Sequence, residues 1–461
     1  MEYQPLNSLV DRQRAFFSTG QTRSLEFRYR SLRKLQLGIA ELEKDMLEAM
    51  ARDLGKPAAE AYSTDIGVVL GDIQYMLKNL KRLAAPGKAK TPLGFLGASA
   101  QVRPEPLGVV LIIAPWNYPF HLLLRPLVGA LAAGNCAVLK PSDLTPCSSS
   151  LSRRLIESCF EPEYVTLVEG GVEVGQALLE QKYDCIFFTG STRQGRAVME
   201  AAARNLTPVI LELGGKCPCI VEPDANLSRC ARSIVWGKFI NAGQTCVAPD
   251  YLLVNRVIKA ALIEELKQAV LSFYGDEPLH SKDYGRVVNE HRFWKLKGWI
   301  QQGETVCGGK VHPKSLYIAP TIIDNIGWDD PIMQEEIFGP LLPIIEYENL
   351  DQVLGMINAR PRPLAIYLFS KNRAVQQRVI EETSSGGLCI NDTLSHMLPD
   401  QLPFGGVGDS GMGSYHGDSS FYSFSHRKSV FNNSSPWELK VKYPPYRVPL
   451  STFKRLLRFV R

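Results

Sequence analysis

The stretch LGVVLIIAPWNYPFHLLLRPLVGALAAGNCAVLKP, residues 107–141, combines three kinds of segment. The uninterrupted apolar run LGVVLIIA predicts a strand that is buried on both faces. HLLLRPLVGALAAG predicts a helix that ends at Gly134, because glycine readily adopts the left-handed conformation that follows a helix. CAVLKP predicts a second buried strand. Two buried strands joined by a helix form a βαβ unit, in which the strands lie parallel.

The same alternation continues on the C-terminal side. The apolar runs VTLVEG, DCIFFTG and TPVILELGG alternate with helical segments that contain PCSSS, GQALL and STRQG. A second alternating part runs from about residue 215 to GGLCIND at residues 386–392. This rhythm predicts an α/β fold with parallel sheets. It fits any α/β domain, and more specifically it fits nucleotide binding at the carboxyl ends of the strands.

Two flanking segments behave differently. Residues 22–84 space their apolar side chains in threes and fours, which predicts helices. The Gly- and Pro-rich segment PGKAKTPLGFLGASAQVRPEP, residues 86–106, predicts either a linker or an extended arm that pairs elsewhere.

The usual dinucleotide fingerprint G-x-G-x-x-G is absent between residues 107 and 215, where Gly190-Ser-Thr-Arg-Gln-Gly195 follows a predicted strand. Such a helix start can bind phosphate, although a plain helix cap explains it equally well.

Length and charge bound the possible functions. The chain has 461 residues, more than one hydrophobic core normally holds, so two or three domains are expected. The net charge of +5 is uneven, because residues 437–461 carry seven Lys or Arg against one Glu, which leaves about −1 elsewhere. A body with so little charge is not expected to bind nucleic acid. The sequence predicts no signal peptide, and its longest apolar run is far below the ~20 residues that cross a bilayer.

Ten cysteines are spread from Cys136 to Cys389 without the spacing of a disulfide framework. Even numbers of cysteines indicate disulfides chiefly in short secreted chains. The CPC sequence at residues 217–219 has one residue between its cysteines and no second pair, so it does not match a zinc site. We therefore expect reduced cysteines, no bound metal and a cytoplasmic protein.

One cysteine has an unusual setting in INAGQTCVAPDY, residues 240–251. Cys246 lies between a polar, glycine-containing turn and a proline. It is either a small apolar filler, which is the commoner role of cysteine, or a nucleophile held on a loop. Glu212 in LELGGK, residues 211–216, is followed by two glycines. That pair favours a close approach of the backbone over a solvated surface carboxylate.

Five segments occur together in one order: PWNYPF (115–120), LELGGK (211–216), NAGQTC (241–246), EEIFGP (335–340) and LPFGGVGDSGMG (402–413). In these segments the chain resembles the aldehyde dehydrogenase superfamily, over about residues 8–445. It is most similar to the class 3 branch, which includes the fatty aldehyde dehydrogenases. The resemblance implies a Rossmann-type cofactor domain, an α/β catalytic domain and a small β oligomerisation arm. It also implies NAD or NADP as cofactor and a homodimer.

The resemblance assigns three catalytic roles for the oxidation of an aldehyde to a carboxylic acid. Cys246 is the nucleophile, which forms first a thiohemiacetal and then a thioester and reacts as its thiolate. Glu212 is the general base that activates water to hydrolyse the thioester. The Asn117 amide and the backbone N–H of Cys246 stabilise the oxyanion. For Asn117 alone, a turn residue is the alternative.

The resemblance also matches residues to the cofactor and the substrate. The expected cofactor contacts are Trp116, Lys140, Asp143, Gly190, Ser191, Arg193, Glu336 and Phe338. Phe404 matches an aromatic residue near the mouth of the site. Tyr62 and Trp236 are candidate walls of an aldehyde channel, although core packing explains them at least as well.

Two residues depart from the family pattern. Asp143 stands where the family often has glutamate, and Arg193 lies where class 3 relatives often have the glycine of G-S-T-G-x-G. A shorter acid leaves room at the ribose 2′ position, and an arginine favours a 2′-phosphate. We therefore expect both NAD and NADP to be used. The expected substrates are apolar aldehydes, either medium- to long-chain or aromatic.

The resemblance divides the chain into four parts. They are residues 1–85 and 106–213 for the cofactor, 214–425 for catalysis, 86–105 and 426–446 for the oligomerisation arm, and 447–461 for a C-terminal tail.

Three alternatives to a non-acylating dehydrogenase remain. A cofactor-independent thiol esterase needs a histidine partner for Cys246, and only His416 lies near the motifs. A structural protein predicts loss of Cys246 or Glu212. An acyl-CoA-forming enzyme does not predict Glu212.

The tail STFKRLLRFVR predicts a basic amphipathic helix. Phe453, Leu456, Leu457 and Val460 fall on one helical stripe, and Lys454, Arg455, Arg458 and Arg461 occupy much of the remaining surface. Such a helix can lie in the interface of a bilayer. It fits peripheral membrane contact, and equally a helix docked on the surface of the protein itself.

Overall fold

The computed structural model describes residues 6–92, 95, 97–434 and 443–460. Its α-helices are Leu6–Ser18, Leu25–Leu54, Ala58–Ala61, Gly67–Leu83, His121–Ala133, Pro146–Cys159, Val172–Leu179, Thr192–Ala203, Leu227–Phe239, Lys259–Tyr274, Glu290–Trp299, Pro331–Gln334, Leu350–Asn358, Arg373–Glu382, Gly417–Ser423 and Leu450–Val460. A single π-helical turn spans Tyr62–Ile66. The helices predicted within residues 22–84 are confirmed, and Leu25–Leu54 ends at Gly55, which has the left-handed conformation of a helix cap.

A six-stranded sheet contains the segment that the sequence identified first. Its strands, in spatial order, are Gly411–Met412, Val209–Glu212, Cys185–Thr189, Val109–Ile113, Cys136–Lys140 and Val165–Leu167. All neighbours pair in parallel except Gly411–Met412, which is antiparallel to its neighbour. The predicted βαβ unit is confirmed: helix His121–Ala133 joins two adjacent parallel strands and ends at a left-handed Gly134.

A second sheet of seven strands follows in the chain. In spatial order these are Glu304–Cys307, Thr321–Asp324, Leu341–Tyr347, Tyr251–Asn255, Pro218–Val221, Ala365–Phe369 and Gly387–Ile390. Only Glu304–Cys307 pairs antiparallel with its neighbour. Apart from the half-buried Ile113, the central strands of both sheets are buried, as their continuous apolar runs predict. The α/β fold class is therefore confirmed.

A third, three-stranded sheet decides between the two alternatives for residues 86–106. Gly87–Ala89 pairs with Ser99–Pro106, which in turn pairs with Ser425–Asn432, all antiparallel. The segment is an extended arm and not a free linker. A separate two-stranded ribbon is formed by Val311–His312 and Tyr317–Ile318.

The C-terminal segment forms the predicted helix, Leu450–Val460. Phe453 is half-buried, whereas Lys454, Arg455 and Arg458 are exposed. The side chains of Leu456, Leu457 and Val460, and all of Arg461, lie outside the described part of the chain, so the apolar stripe stays a prediction. Within the described residues, no helix combines the length and the apolar character that a membrane span requires.

Candidate active site

The site lies at the carboxyl ends of the six-stranded sheet, where open parallel sheets bind their ligands. Asn117 follows the strand Val109–Ile113, and Lys140 is the last residue of Cys136–Lys140. Gly190 follows Cys185–Thr189, and Glu212 ends Val209–Glu212. The N–H of Gly190 donates to the carbonyl of Glu212 at 3.0 Å, which joins the last two of these strand ends.

The residues expected to hold the adenosine and pyrophosphate lie at one side of this edge. Ser191 caps the helix Thr192–Ala203 by accepting a hydrogen bond from the N–H of Gln194. The Lys140 ammonium is buried and donates to the carbonyls of Pro141 at 3.0 Å and Gly170 at 2.7 Å, and burial lowers its pKa. Asp143 and Arg193 are exposed, and their contact with a ribose 2′ substituent stays a prediction. The N-terminus of this helix and Lys140 both lie at the carboxyl edge of the sheet, and a helix N-terminus is a common phosphate site.

Glu336 approaches the same edge from the catalytic part of the chain. A Cβ added at Gly214 would overlap its carboxylate, so the glycine after LEL allows this close approach without displacing the Glu336 side chain. Burial raises the pKa of Glu336 to about 8, and the neighbouring Asp250 adds to the shift. Phe338 packs edge-on against Trp116, with ring centroids 5.4 Å apart. The structure thus brings together residues from PWNYPF, LELGGK and EEIFGP.

The cysteine loop is fastened to EEIFGP by tight backbone contacts. A Cβ at Gly243 would overlap the carbonyl of Gly339, and Asp250 accepts a hydrogen bond from the N–H of Ile337 at 3.0 Å. Lys216 pairs with Asp250 at 2.5 Å and also donates to the carbonyl of Glu335 at 2.9 Å. These bonds fix the loop in relation to the expected cofactor site.

The Cys246 thiol is neutral in this environment. Burial raises its pKa to about 12, and the Glu336 and Glu212 carboxyl groups add to the shift. The carbonyl of Cys246 accepts a weak hydrogen bond from the Cys217 thiol at 3.5 Å. Of the other nine cysteines, all reduced, seven are buried and two, Cys147 and Cys307, are half-buried like Cys246.

Glu212 is only 2% exposed, and neither oxygen of its carboxyl group has a hydrogen-bond partner within the described structure. Burial alone raises its pKa well above the usual range of a carboxyl group. A buried carboxyl group without partners is costly for stability. It is poised to exchange a proton with a group that enters the site.

Asn117 is buried and held by several hydrogen bonds. Its amide nitrogen donates to the carbonyl of Gln244 at 2.9 Å, which uses one of its two hydrogens. The backbone carbonyl of Asn117 accepts hydrogen bonds from Lys56 Nζ at 3.1 Å and from Asn241 Nδ2 at 2.8 Å. This side chain therefore joins PWNYPF to the cysteine loop, and its role as an oxyanion donor stays a prediction.

The three residues expected to contact substrate lie in different surroundings. Tyr62 and Trp236 are 42% and 44% exposed, so the alternative of core packing is wrong for both. Phe404 is only 8% exposed and stacks on His416, with ring centroids 4.9 Å apart. Contact with the aldehyde stays a prediction for all three.

Several residues of the site were not expected from the sequence. The fully buried Lys56 pairs with Asp65 at 2.9 Å beneath Asn117. Lys238 is fully buried, its ammonium has no hydrogen-bond partner among the described residues, and burial lowers its pKa to about 8. Glu60 accepts a hydrogen bond from the N–H of Asn241 at 2.8 Å. Only Lys238 carries a sequence signal, because it is a charge among the buried positions of a helix.

The esterase alternative finds no support in this arrangement. Among the described residues, no hydrogen bond joins a histidine to the thiol of Cys246. His416 packs against the rings of Phe404 and Tyr415, and burial lowers its pKa well below the usual range. A histidine with so low a pKa is a weak base, and therefore a poor acceptor for the proton of Cys246.

Comparisons with known proteins agree with this geometry. A sequence model described as the aldehyde dehydrogenase family matches residues 4–430. Aldehyde dehydrogenase family 3 member A2 of Rattus norvegicus is 45% identical over 95% of this chain and 90% of its own length. The rat "Aldehyde dehydrogenase, dimeric NADP-preferring" is 44% identical over 95% of this chain and 98% of its own. The solved structure "Substrate bound state of Staphylococcus Aureus AldH" has a TM-score of 0.97 at 45% identity and covers 99% of this chain and 100% of its own.

The match extends over nearly the whole chain and includes every motif that forms the site. The resemblance to class 3 is confirmed by the family 3 relative, and the expected fold is confirmed by the solved structure. The expected site combines the helix N-terminus at Ser191, the buried Lys140, and Cys246, whose thiol pKa is raised in part by Glu212. The chain therefore belongs to the aldehyde dehydrogenase family, as an NAD(P)-dependent enzyme that oxidises aldehydes to carboxylic acids.

Proposed function

We propose that Cys246 attacks the aldehyde and that Glu212 then activates water to release the acid. One observation carries this assignment: the carboxyl group of Glu212 is buried without partners and close enough to Cys246 to raise the pKa of its thiol. Once ionised, the unpartnered carboxyl group can accept a proton from water or from the Cys246 thiol. Replacement of each group separately, followed by rapid measurement of reduced cofactor, tests the pair.

In the first step, the sulfur of Cys246 forms a bond to the carbonyl carbon, and the thiol proton leaves to a base. The π electrons move to oxygen, which gains negative charge. The free amide hydrogen of Asn117 and the backbone N–H of Cys246 are the donors that we propose for it. Asn117 is already fixed by its bonds to Gln244, Lys56 and Asn241, so it needs no reorganisation during the step.

When bound, NAD(P) supplies the acceptor for the hydride of the adduct and a positively charged ring that favours the thiolate. Lys140, Ser191 and Glu336 are the residues that we propose to bind it, with Trp116, Gly190 and Phe338 beside them. In the second step Glu212 removes a proton from water, the water oxygen attacks the thioester, and the bond from carbon to sulfur breaks. Glu212 therefore has to be ionised at that stage.

The cofactor preference is expected to be relaxed. Asp143 is short and exposed, so wild-type enzyme should use NAD and NADP with values of kcat/KM within about 100-fold, or about 2.7 kcal/mol, of each other. Asp143→Glu should shift the preference towards NAD by crowding and repelling the 2′-phosphate. Steady-state kinetics with both cofactors measures this, and an exposed acid away from the site, Glu161→Asp, is the control. A wild type that rejects NADP more strongly contradicts the prediction.

We propose that the two main sheets are the centres of the cofactor and catalytic domains and that the three-stranded sheet forms a homodimer. Ser425–Asn432 is an edge of that sheet, and its side chains are mostly exposed. Unpaired edges of this kind invite pairing with another chain. The similar rat enzyme is named as dimeric. Residues 435–442 of the expected arm lie outside the described structure. Sedimentation at the mass of a single chain would exclude the dimer.

We further propose that the tail contacts membranes and that the enzyme is cytoplasmic, with apolar aldehydes as substrates. The described cations of helix Leu450–Val460 are exposed, as binding to anionic lipid requires. Each cation near an anionic surface contributes about 1 kcal/mol, and salt weakens the attraction. A helix beside the bilayer would place the enzyme close to aldehydes derived from lipid.

The tail predicts a measurable affinity for lipid. The full chain should co-sediment with anionic vesicles at low salt, and deletion of residues 451–461 should release it because it removes four cations. Zwitterionic vesicles are the control for non-electrostatic binding. If the intact protein stays in solution with anionic vesicles, the tail instead docks on the protein. The proposal of apolar substrates is then supported only by the family resemblance.

A further inference from the structure

The backbone just before Cys246 has an unusual conformation. Asn241 and Ala242 have φ values of 52° and 50°, and Gly243 follows with a φ of 74°. Left-handed residues other than glycine cost roughly 1–2 kcal/mol each. Such a run persists only where the surrounding structure imposes it. The question is which contacts impose it three residues before the proposed nucleophile.

One charged contact reaches this segment from a distant part of the chain. Glu60 Oε1 accepts a hydrogen bond from the backbone N–H of Asn241 at 2.8 Å. The other bonds of Asn241 are neutral: its amide nitrogen donates to the carbonyls of Asn117 at 2.8 Å and Gln244 at 3.1 Å. A hydrogen bond to an ionised acceptor is roughly twice as strong as a neutral one. The Glu60 carboxylate is thus the one charged acceptor bonded directly to the left-handed segment in the described structure.

Glu60 is itself held in place. It lies in the short helix Ala58–Ala61, directly before the π-helical turn Tyr62–Ile66, a conformation that often marks functional sites. The nearest cation, Lys56, is already paired with Asp65 at 2.9 Å, so Glu60 has no direct ion pair of its own within the described residues. The hydrogen bond that its carboxylate accepts from Asn241 therefore connects Glu60 to the cysteine loop.

The groups that face Glu60 determine when it is charged. They are Lys56 and Asp65 from its own segment, and Tyr118, Tyr274 and Tyr284 from the elements packed against it. Burial raises the pKa of Glu60 to about 7, although Lys56 and the N–H of Asn241 act in the opposite direction. The carboxyl group is therefore neutral below this pH and ionised above it.

We propose that Glu60 is a positioning residue whose ionised carboxylate holds the N–H of Asn241 and so fixes the left-handed segment that presents Cys246. This inference rests on the proposed role of Cys246 as nucleophile. Glu60 itself touches neither substrate nor cofactor. Its effect is transmitted through the backbone of residues 242–245 and through the side-chain amide of Asn241, which donates to the carbonyl of Gln244.

The test compares wild type with Glu60→Gln, which keeps the shape and a neutral acceptor but cannot ionise. Two rates are measured across pH: the acylation burst with aldehyde and NAD, and alkylation of the Cys246 thiol by iodoacetamide, followed by mass spectrometry. All other titrating groups are common to both proteins. Their effects therefore cancel when the rate of wild type is divided by the rate of Glu60→Gln at the same pH. That ratio should be close to one at about pH 5.5 and rise to about fivefold at about pH 8.5.

Two further variants complete the design. Glu60→Asp keeps the charge, but its shorter side chain holds the carboxylate away from Asn241. At high pH its burst and alkylation rates should therefore be as low as those of Glu60→Gln. Glu161→Gln, at an exposed site, should match wild type at every pH. A ratio of alkylation rates that does not change with pH overturns the positioning role, because a purely structural effect is constant. Turnover by Cys246→Ala would instead overturn the proposed function, and the alkylation ratio would still report on Glu60.

Discussion

Replacement of Cys246 by alanine is expected to abolish aldehyde oxidation, with a loss of at least about 10⁴-fold in kcat, because a covalent catalyst that loses its nucleophile retains only binding. The adduct that gives up the hydride cannot form without the sulfur. Reduced cofactor formed per unit time measures the loss. Cofactor affinity should change by less than about twofold, since the side chain is small and the proposed cofactor contacts are elsewhere.

A second thiol provides the matched control for this substitution. Cys307 is half-buried like Cys246, but it lies in the strand Glu304–Cys307 at the edge of the second sheet. Cys307→Ala should retain nearly full turnover. Dehydrogenase activity that survived in Cys246→Ala, with the protein folded and cofactor bound, would exclude the covalent mechanism.

The fold could be predicted from the sequence where short-range patterns determine it. The run at Val109–Ile113 is apolar throughout because both faces of its sheet are covered, and Gly134 ends the next helix because its backbone is left-handed. The pairing of Ser99–Pro106 with Ser425–Asn432 left no such pattern. Those strands are largely exposed and distant in the chain, so neither periodicity nor local turns identify the partner.

The site likewise contains residues that sequence motifs identify and residues that only long-range packing brings into it. Glu212 and Asn117 could be proposed because they lie within motifs of the resemblance, and the structure places both at the carboxyl edge of the first sheet. Glu60 could not, because its bond to Asn241 joins residues 181 positions apart and depends on how the helical segment packs against the cysteine loop. Its raised pKa is also a product of burial, which a surface-like sequence such as AAEAYS does not reveal.

Replacement of Glu212 by glutamine is expected to separate the two chemical steps. The thioester should still form and release about one reduced cofactor per site in a burst, after which turnover should fall by about 10²–10⁴-fold because no base activates water. Rapid-mixing measurement of the burst and of the following steady state tests this. Glutamine keeps the volume of the side chain and removes only its ability to take a proton.

The ionisation of Glu212 predicts how the deacylation rate changes with pH. Burial raises the pKa of Glu212 well above the usual range, so in the wild type its protonated, inactive fraction should dominate at low pH and deacylation should accelerate as pH rises. The deacylation rate of Glu212→Gln should lack this rise. Glu161→Gln, at an exposed site, should keep both the wild-type rate and its pH dependence.

Added hydroxylamine discriminates between a stalled thioester and a damaged site. It is a nucleophile that attacks a thioester without help from a general base, so it should restore turnover in Glu212→Gln and yield the hydroxamate in place of the acid. The same reagent should do nothing for Cys246→Ala, in which no thioester exists. A Glu212→Gln enzyme with unchanged steady-state turnover would show that another group activates the water. One with neither burst nor hydroxylamine rescue would show that Glu212 acts before the thioester forms, as the acceptor of the Cys246 proton.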